Sequence, residues 1–302
     1  MLEKRSGEYM VERQKFPMGS SSPLVLLDSV SSGYFGRKVL EDISFQIDEP
    51  AVYVVLGPNG AGKTTLFRTL AGILKPYSGK VEIGGYPSES QEARSNLDYL
   101  THIDGIPEGM SVINALRFYA NIADATEADV NRVLELLDLV ELSAKRFGQL
   151  SQGQKKRVSV ARIFLKEKSV YLLDEPTSNM DPKMASEIRE LVLGLSKNKV
   201  ILYSSHNLFE AREIGSKAIV IKKGKLALFG NISEIKTEKY TMGIRTIGTN
   251  EVPHAIGKEG EYHIFELQGP EEVPNIISQL TQKGIKIREV KEMQNPLEEL
   301  FK

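Results

Sequence analysis

Gly57-Pro58-Asn59-Gly60-Ala61-Gly62-Lys63-Thr64-Thr65 decides how this chain is read. A tight apolar run, Val52 to Leu56, enters the stretch, and a helix-capable run, Leu66 to Gly72, leaves it. The spacing G-x-x-x-x-G-K-T between a strand and a helix is that of a phosphate loop. Its glycines keep side chains clear, so consecutive backbone N–H groups can curl around phosphates at a helix N-terminus. Lys63 is expected to reach the β- and γ-phosphates of a nucleoside triphosphate, and Thr64 to set its hydroxyl on Mg2+.

Such a loop needs carboxylates, and a second stretch offers them. Val170 to Leu173 is a dense apolar strand followed at once by Asp174 and Glu175. Ligands of open α/β sheets bind at that carboxyl end. Asp174 is expected to hold Mg2+, directly or through water, and Glu175 to polarise water for in-line attack on the γ-phosphate. His206 follows another strand, Lys199 to Tyr203, by a Ser-Ser step, where it could donate to the γ-phosphate. A third run, Leu150-Ser151-Gln152-Gly153-Gln154-Lys155-Lys156-Arg157, combines a serine N-cap, a glycine and a basic first turn. Cations are unfavourable there unless an anion is near. An exposed Ser151 and Gly153 could bind phosphate, though physics alone does not say whose.

The remainder of the chain sets bounds. Its 302 residues suit one large domain, or one with a small appendix. An apolar fraction of 41% and a charged fraction of 26% describe an ordinary folded protein. Net charge near −1 gives no global reason to expect nucleic acid. The absence of cysteine excludes disulfides, thiolate metal sites and cysteine catalysis. No apolar run approaches the roughly 20 residues needed to cross a bilayer, so work at a membrane would go through a partner.

In chain order, residues 1–23 read as a loose extension without a secretory pattern. Leu24 to Val30 and Val39 to Ile47 are expected to pair as strands about a turn from Gly33 to Lys38. Ser111 to Leu142 changes to helical period, with Val112, Leu116, Tyr119 and Ala120 on one face. This block predicts a helical subdomain, about 102–165, entered through a hinge at Gly105, Pro107 and Gly109. Pro182 to Leu195 reads as a helix capped by Asp181, and Ala218 to Phe229 as a hairpin about Lys223-Gly224. Beyond Glu238, strand Tyr262 to Gln268, helix Pro274 to Thr281, strand Ile285 to Val290 and a last turn, Pro296 to Phe301, suggest a β-α-β accessory domain over 239–302.

Taken together these runs resemble the ATP-binding subunits of ABC transporters. The phosphate loop at 57–65, the signature LSQGQKKRVSVAR at 150–162, YLLDEPTSNMD at 171–181 and SSH at 204–206 stand in that family's order and spacing, over about Leu24 to Lys236. The resemblance implies an α/β fold: a P-loop NTPase core of ABC ATPase type over 24–238. An antiparallel β subdomain and an inserted helical subdomain would belong to it, and a small C-terminal α+β domain would follow. It implies ATP as substrate with Mg2+, and a sandwich dimer in which Leu150 to Gln154 of one chain close over the γ-phosphate held by Lys63 of a second ATP-binding subunit. Tyr34 or Phe35 would stack on adenine, with Gly36 favouring Phe35. Asp181 would link the two sites across the dimer, while Asn179 and Met180 stand where Gly and Leu are usual. His102 occupies a position where the family carries glutamine as a Mg2+ and water contact, and an imidazole there differs in reach.

Segment KKGKLALFG at 222–230 and the ending NPLEELF at 295–301 resemble ATPases paired with separate exporter-type permeases for drugs, lipids, polysaccharides or ions. The resemblance implies a peripheral place on the cytoplasmic face of the cell membrane, and no nucleic-acid partner. The rival readings are an ATPase of the same superfamily not coupled to transport, and a low-activity ATP-binding subunit of a heterodimer.

Overall fold

A computed structural model describes residues 23–101, 105–178, 180, 182–232, 240–248, 252–267 and 272–294. Strands β1 (Val25–Tyr34) and β2 (Arg37–Ile47) form a hairpin, and β3 (Val52–Leu56) runs through the glycine loop into α1 (Lys63–Leu70). β4 (Ser78–Ile83), β5 (Tyr86–Pro87), α2 (Gln91–Asn96) and β6 (Leu97–Leu100) follow. The helical block is α3 (Val112–Ala123), α4 (Glu127–Leu136) and α5 (Gln152–Ile163). Then come β7 (Val170–Asp174), α6 (Pro182–Leu195), β8 (Val200–Ser205), α7 (Leu208–Ile214), β9 (Lys217–Lys222) and β10 (Lys225–Asn231). The C-terminal part holds β11 (Tyr240–Ile247), β12 (Gly257–Glu259), β13 (Tyr262–Leu267), α8 (Val273–Gln282) and β14 (Lys286–Gln294).

The centre is a six-stranded sheet in the order β10-β9-β3-β8-β7-β6, parallel from β9 through β6. Strands β3, β7, β8 and β9 carry apolar runs of four or five residues because both faces are covered. Val52, Val54 and Leu56 face one apolar cluster, shared with the helical block through Val112, Leu116, Val133 and Val158. Tyr53 and Val55 face the other, shared with α1 and with Leu27, Ile43 and Phe45 of the antiparallel sheet β2-β1-β4-β5. β7 and β8 split the same way, residue by residue. All five residues of β3 are buried; a fully buried Val or Leu side chain contributes about 1.5–3 kcal/mol.

The α/β architecture, with its helical insertion and small C-terminal α+β part, is as the sequence predicts. Two local expectations need correction, and one helix, α2, has no counterpart among them. The first turn is shorter than Gly33 to Lys38: β1 continues to Tyr34, and only Phe35 and Gly36 turn, both at positive φ (52° and 78°). Its register shifts after Leu27 break the alternation that ends the strand too early on paper. Helix α2 carries little apolar pattern; Ser90 caps it and only Ala93 is buried. The C-terminal part is no β-α-β unit but an antiparallel sheet, β12-β13-β11-β14, with α8 and its own cluster around Met242, Ile244, Phe265 and Leu280. The turn expected at Pro296 to Phe301 lies outside the described residues.

Candidate functional site

The glycine loop connects the carboxyl end of β3 to α1, and its geometry follows from glycine. Gly60 and Gly62 take φ of 79° and 114°, a region L-residues avoid. A Cβ on Gly62 would stand 2.7 Å from Leu40 Cδ2, and one on Gly57 2.6 Å from the Ile221 carbonyl. Within the loop the Ala61 N–H donates to the Pro58 carbonyl at 3.1 Å; Asn59 and Gly60 are exposed while Ala61 is buried. Gly62 is the N-cap of α1 and supplies no side-chain cap, so the helix's first donors are left for another acceptor. Thr65 is buried and Thr64 half-buried beside that end.

Lys63 is 6% exposed. Its Nζ donates to the carbonyls of Gly57 (2.8 Å) and Pro58 (3.3 Å) and lies 3.9 Å from Glu175 Oε1. Burial pulls the ammonium below its ordinary range, against the pull of Glu175 and Asp174.

The end of β7 carries the acidic pair to the same place, and β8 beside it steadies both residues through Ser204. Asp174 is 2% exposed; Ser204 Oγ donates to its Oδ1 (2.8 Å) and the Tyr99 hydroxyl to its Oδ2 (3.2 Å). Burial and then Asp174 push the Tyr99 phenol well up, so it stays a donor. Glu175 turns out of the strand at φ 47°, a left-handed conformation that costs about 1–3 kcal/mol away from glycine. Its N–H donates to Ser204 Oγ at 2.8 Å, which holds the turn. His206 Nδ1 lies 3.4 Å from Glu175 Oε1. Behind it Glu210 accepts from Tyr203 (2.6 Å), Ser205 (2.6 Å) and Thr177, and faces Arg189 of α6 at 3.8 Å. Tyr99 and Glu210 escape sequence reasoning because one reads as a strand residue and the other as a helix charge.

The other sequence-predicted residues divide. Tyr34 and Phe35 sit side by side at the first hairpin, but Arg68 engages Tyr34 through its hydroxyl (3.1 Å) and its ring face (5.9 Å). The Phe35 ring is fully exposed. Ser151 is exposed and caps α5 in a closed box: its Oγ accepts from the Gln154 N–H (3.3 Å) and its N–H donates to Gln154 Oε1 (3.0 Å). Leu150 is buried and Gln152 exposed. Gly153 is not exposed as expected. Met184 of α6 covers it so closely that a Cβ would stand 1.7 Å from the thioether sulfur. The basic turn finds carboxylates within the chain: Lys155 faces Glu108 (3.6 Å), and Arg157 pairs with Glu187 and Asp138 (3.5 Å). His102, Asn179 and Asp181 lie outside the described residues.

A metal must fit this donor set. Among the described residues no group of three His, Cys, Asp or Glu side chains gathers into a cage. Mg2+ suits that, because it keeps waters and is held by one or two carboxylates with substrate phosphates. A buried, oriented Asp174 at the end of β7 and the Thr64 hydroxyl in the first turn of α1 are donors of the kind that share needs.

A phosphate loop at the end of a central parallel strand, with a carboxylate pair from the end of β7 two strands away, defines a nucleoside-triphosphate-binding protein. Comparison narrows it. The family described as ABC transporter matches residues 40–178. The uncharacterized ABC transporter ATP-binding protein YhcH of Bacillus subtilis is 30% identical over 292 residues, 91% of this chain and 93% of its own. The methionine import ATP-binding protein MetN 1 of Bacillus licheniformis is 32% identical over 77% of this chain and 75% of its own. A solved ATP-binding subunit of an ABC transporter superposes with a TM-score of 0.65 at 27% identity, covering 70% of this chain and 91% of that one. The chain belongs to the ABC transporter ATP-binding proteins: it is an ATP-binding and ATP-hydrolysing subunit that serves a separate permease. No helix among its described residues is long and apolar enough to cross a membrane.

Proposed function

We propose that Lys63, Glu175 and His206 perform ATP hydrolysis and that Ser151 and Gly153 complete the site of a second ATP-binding subunit. One observation carries the first part: the Glu175 carboxylate stands between the Lys63 ammonium (3.9 Å) and His206 Nδ1 (3.4 Å) at the uncapped start of α1. The α1 and loop N–H groups with Lys63 bind the β- and γ-phosphates and offset the charge gathering there. Glu175, held by Ser204, orients the attacking water and takes its proton, and His206 steadies that carboxylate and the γ-phosphate. Thr64 and Asp174 are the residues to hold Mg2+, which when bound neutralises the phosphate oxygens. Phe35, free of partners in the ring contacts that hold Tyr34, is the ring to stack on adenine; His102 and Asp181 keep on this reading the metal-contact and site-linking roles that the resemblance implies.

The second part rests on Ser151. Its oxygen accepts within the cap while its proton is left to donate, on an exposed helix end. Two chains closing on two ATP molecules would thus shift the population toward a closed dimer, reset by hydrolysis. The exposed Phe118 and Ile122 of α3 supply an apolar docking surface for the permease, with the cassette over 24–238 and an accessory domain over 239–302. Export is the reading favoured by the 222–230 and 295–301 segments. The relatives' names divide, one being a Nod factor export ATP-binding protein of Rhizobium johnstonii, 31% identical over 69% of this chain, and MetN 1 an import protein. The test is Glu175→Gln: ATP is expected to accumulate unhydrolysed in a 2:2 complex, and hydrolysis at the parental rate would remove Glu175 as the base. For the permease, Phe118→Asp is expected to break co-purification from membranes.

A further inference from the structure

The C-terminal sheet holds a second polar cavity that the nucleotide chemistry does not use. Its volume is about 560 Å3, and Arg245, Lys258, Glu261, His263 and Arg288 line it. Three cations and one carboxylate leave two net positive charges beside the imidazole. Arg245 is ion-paired to Glu261. Lys258 and Arg288 have no carboxylate partner among the described residues, and gathering such cations without an anion is unfavourable.

Two features show that the lining is specific to this place. His263 alternates with Phe265 and Leu267 on the core face of β13 and is 5% exposed. Its ladder neighbours are Ile244 and Lys258. Among the described residues its ring makes no hydrogen bond, yet no buried polar atom is sealed without a partner, so its nitrogen edge opens on the cavity. Arg288 is the extra residue of a bulge in β14: Arg245 pairs with Glu289 and Thr246 with Ile287, leaving Arg288 between them. Bulges of this kind re-aim a side chain.

We propose that this cavity binds a phosphoryl dianion, with the Arg288 guanidinium and Lys258 ammonium on its oxygens and His263 as a further donor. Guanidinium forks match phosphate geometry, and the volume admits a small organic group on the phosphoryl as well. The occupant is either a free phosphorylated solute or the headgroup of a lipid carrying a phosphomonoester.

The experiment uses the full chain saturated with Mg-ADP, so that the glycine loop is filled, and follows the imidazole resonances by NMR. The chain has four histidines; His263→Gln assigns the one in question. Burial and then Lys258 hold the His263 imidazole below its ordinary range, so a dianion beside Lys258, Arg245 and Arg288 is read as a rise in its titration midpoint. Inorganic phosphate is expected to move the His263 signal saturably, whereas sodium chloride at equal ionic strength does not. The Lys258→Ala/Arg288→Ala variant, changed only at exposed positions, is expected to bind about 10- to 100-fold more weakly. If phosphate gives nothing, vesicles containing phosphatidic acid are the second arm. A shift there, lost in the double variant, assigns the site to a lipid. No saturable shift from either source, or one unchanged in the double variant, overturns the proposal.

Discussion

Two helices of this protein begin beside glycines, and they begin in opposite ways. α1 starts at a glycine in a left-handed conformation, has no side-chain cap, and buries a lysine against its own loop carbonyls. α5 starts at a serine in extended conformation, closes a complete capping box, and leaves that serine in solvent. The first end leaves donors without a side-chain cap beside a buried lysine and its carboxylate neighbour, an arrangement that is favourable only when an anion arrives. The second end is stable without any ligand and is turned outward. A site assembled from both would be half-prepared by one chain and finished by contact with another.

The largest effects should fall on the α1 end. Glu175→Gln is expected to lower the ATP turnover by about 10²–10⁴-fold while nucleotide binding persists in equilibrium dialysis. Lys63→Ala is expected to lose about 10²-fold or more in turnover and to weaken ATP binding as well. If instead both variants bound and turned over ATP normally, the uncapped helix start would have no catalytic meaning.

The α5 end predicts smaller effects, read mainly as stability. Gly153→Ala drives a methyl into the Met184 sulfur; a loss of about 1–3 kcal/mol is expected in denaturant melts, and Gly153→Ala/Met184→Ala should recover most of it. Asp98 lies near Arg162 at the far end of the same helix, and burial raises its carboxyl to about 6. The folded form therefore holds a proton that the unfolded chain, near 3.8, releases first. Stability falls as pH rises between those two values, and the whole penalty is present above pH 6. Asp98→Asn, which keeps an acceptor for the Tyr99 N–H, should stabilise the protein at pH 7.5 by roughly 1–3 kcal/mol and leave it unchanged at pH 3. Smallest is Ser151→Ala, at about 1 kcal/mol for the lost cap. An ATPase rate lowered far beyond that change in stability would separate a role in a partner's site from mere capping.

Much of this arrangement is legible in the sequence, for identifiable reasons. The loop at 57–65 can be read because only glycine tolerates the conformations at Gly60 and Gly62, and the buried strands because covering both faces removes alternation. The capping of α5 is visible as Ser151 with Gln154 three residues on. What is hidden depends on distant partners. No local pattern tells that Tyr99 reaches Asp174 across 75 positions, or that Met184 seals Gly153. The basic turn at Lys155 to Arg157 correctly demands negative charge, but the nearest answer is Glu108, Asp138 and Glu187, so the turn itself says nothing about a nucleotide. Strand β12 is missed because it is three residues long and exposed throughout, and β11 because its residues are mixed in character and its partners, β13 and β14, lie farther along the chain.

The division of odd and even residues along β3, β7 and β8 has a mechanical meaning. Each central strand is a party wall: half of its side chains belong to the compartment of the helical block and half to that of the glycine loop and the antiparallel sheet. Loosening the helical compartment, by heat or by a partner pulling on α3, need not disturb the packing that shapes the glycine loop. Amide hydrogen exchange should then reveal two populations of protected sites, with the strands themselves the last to open.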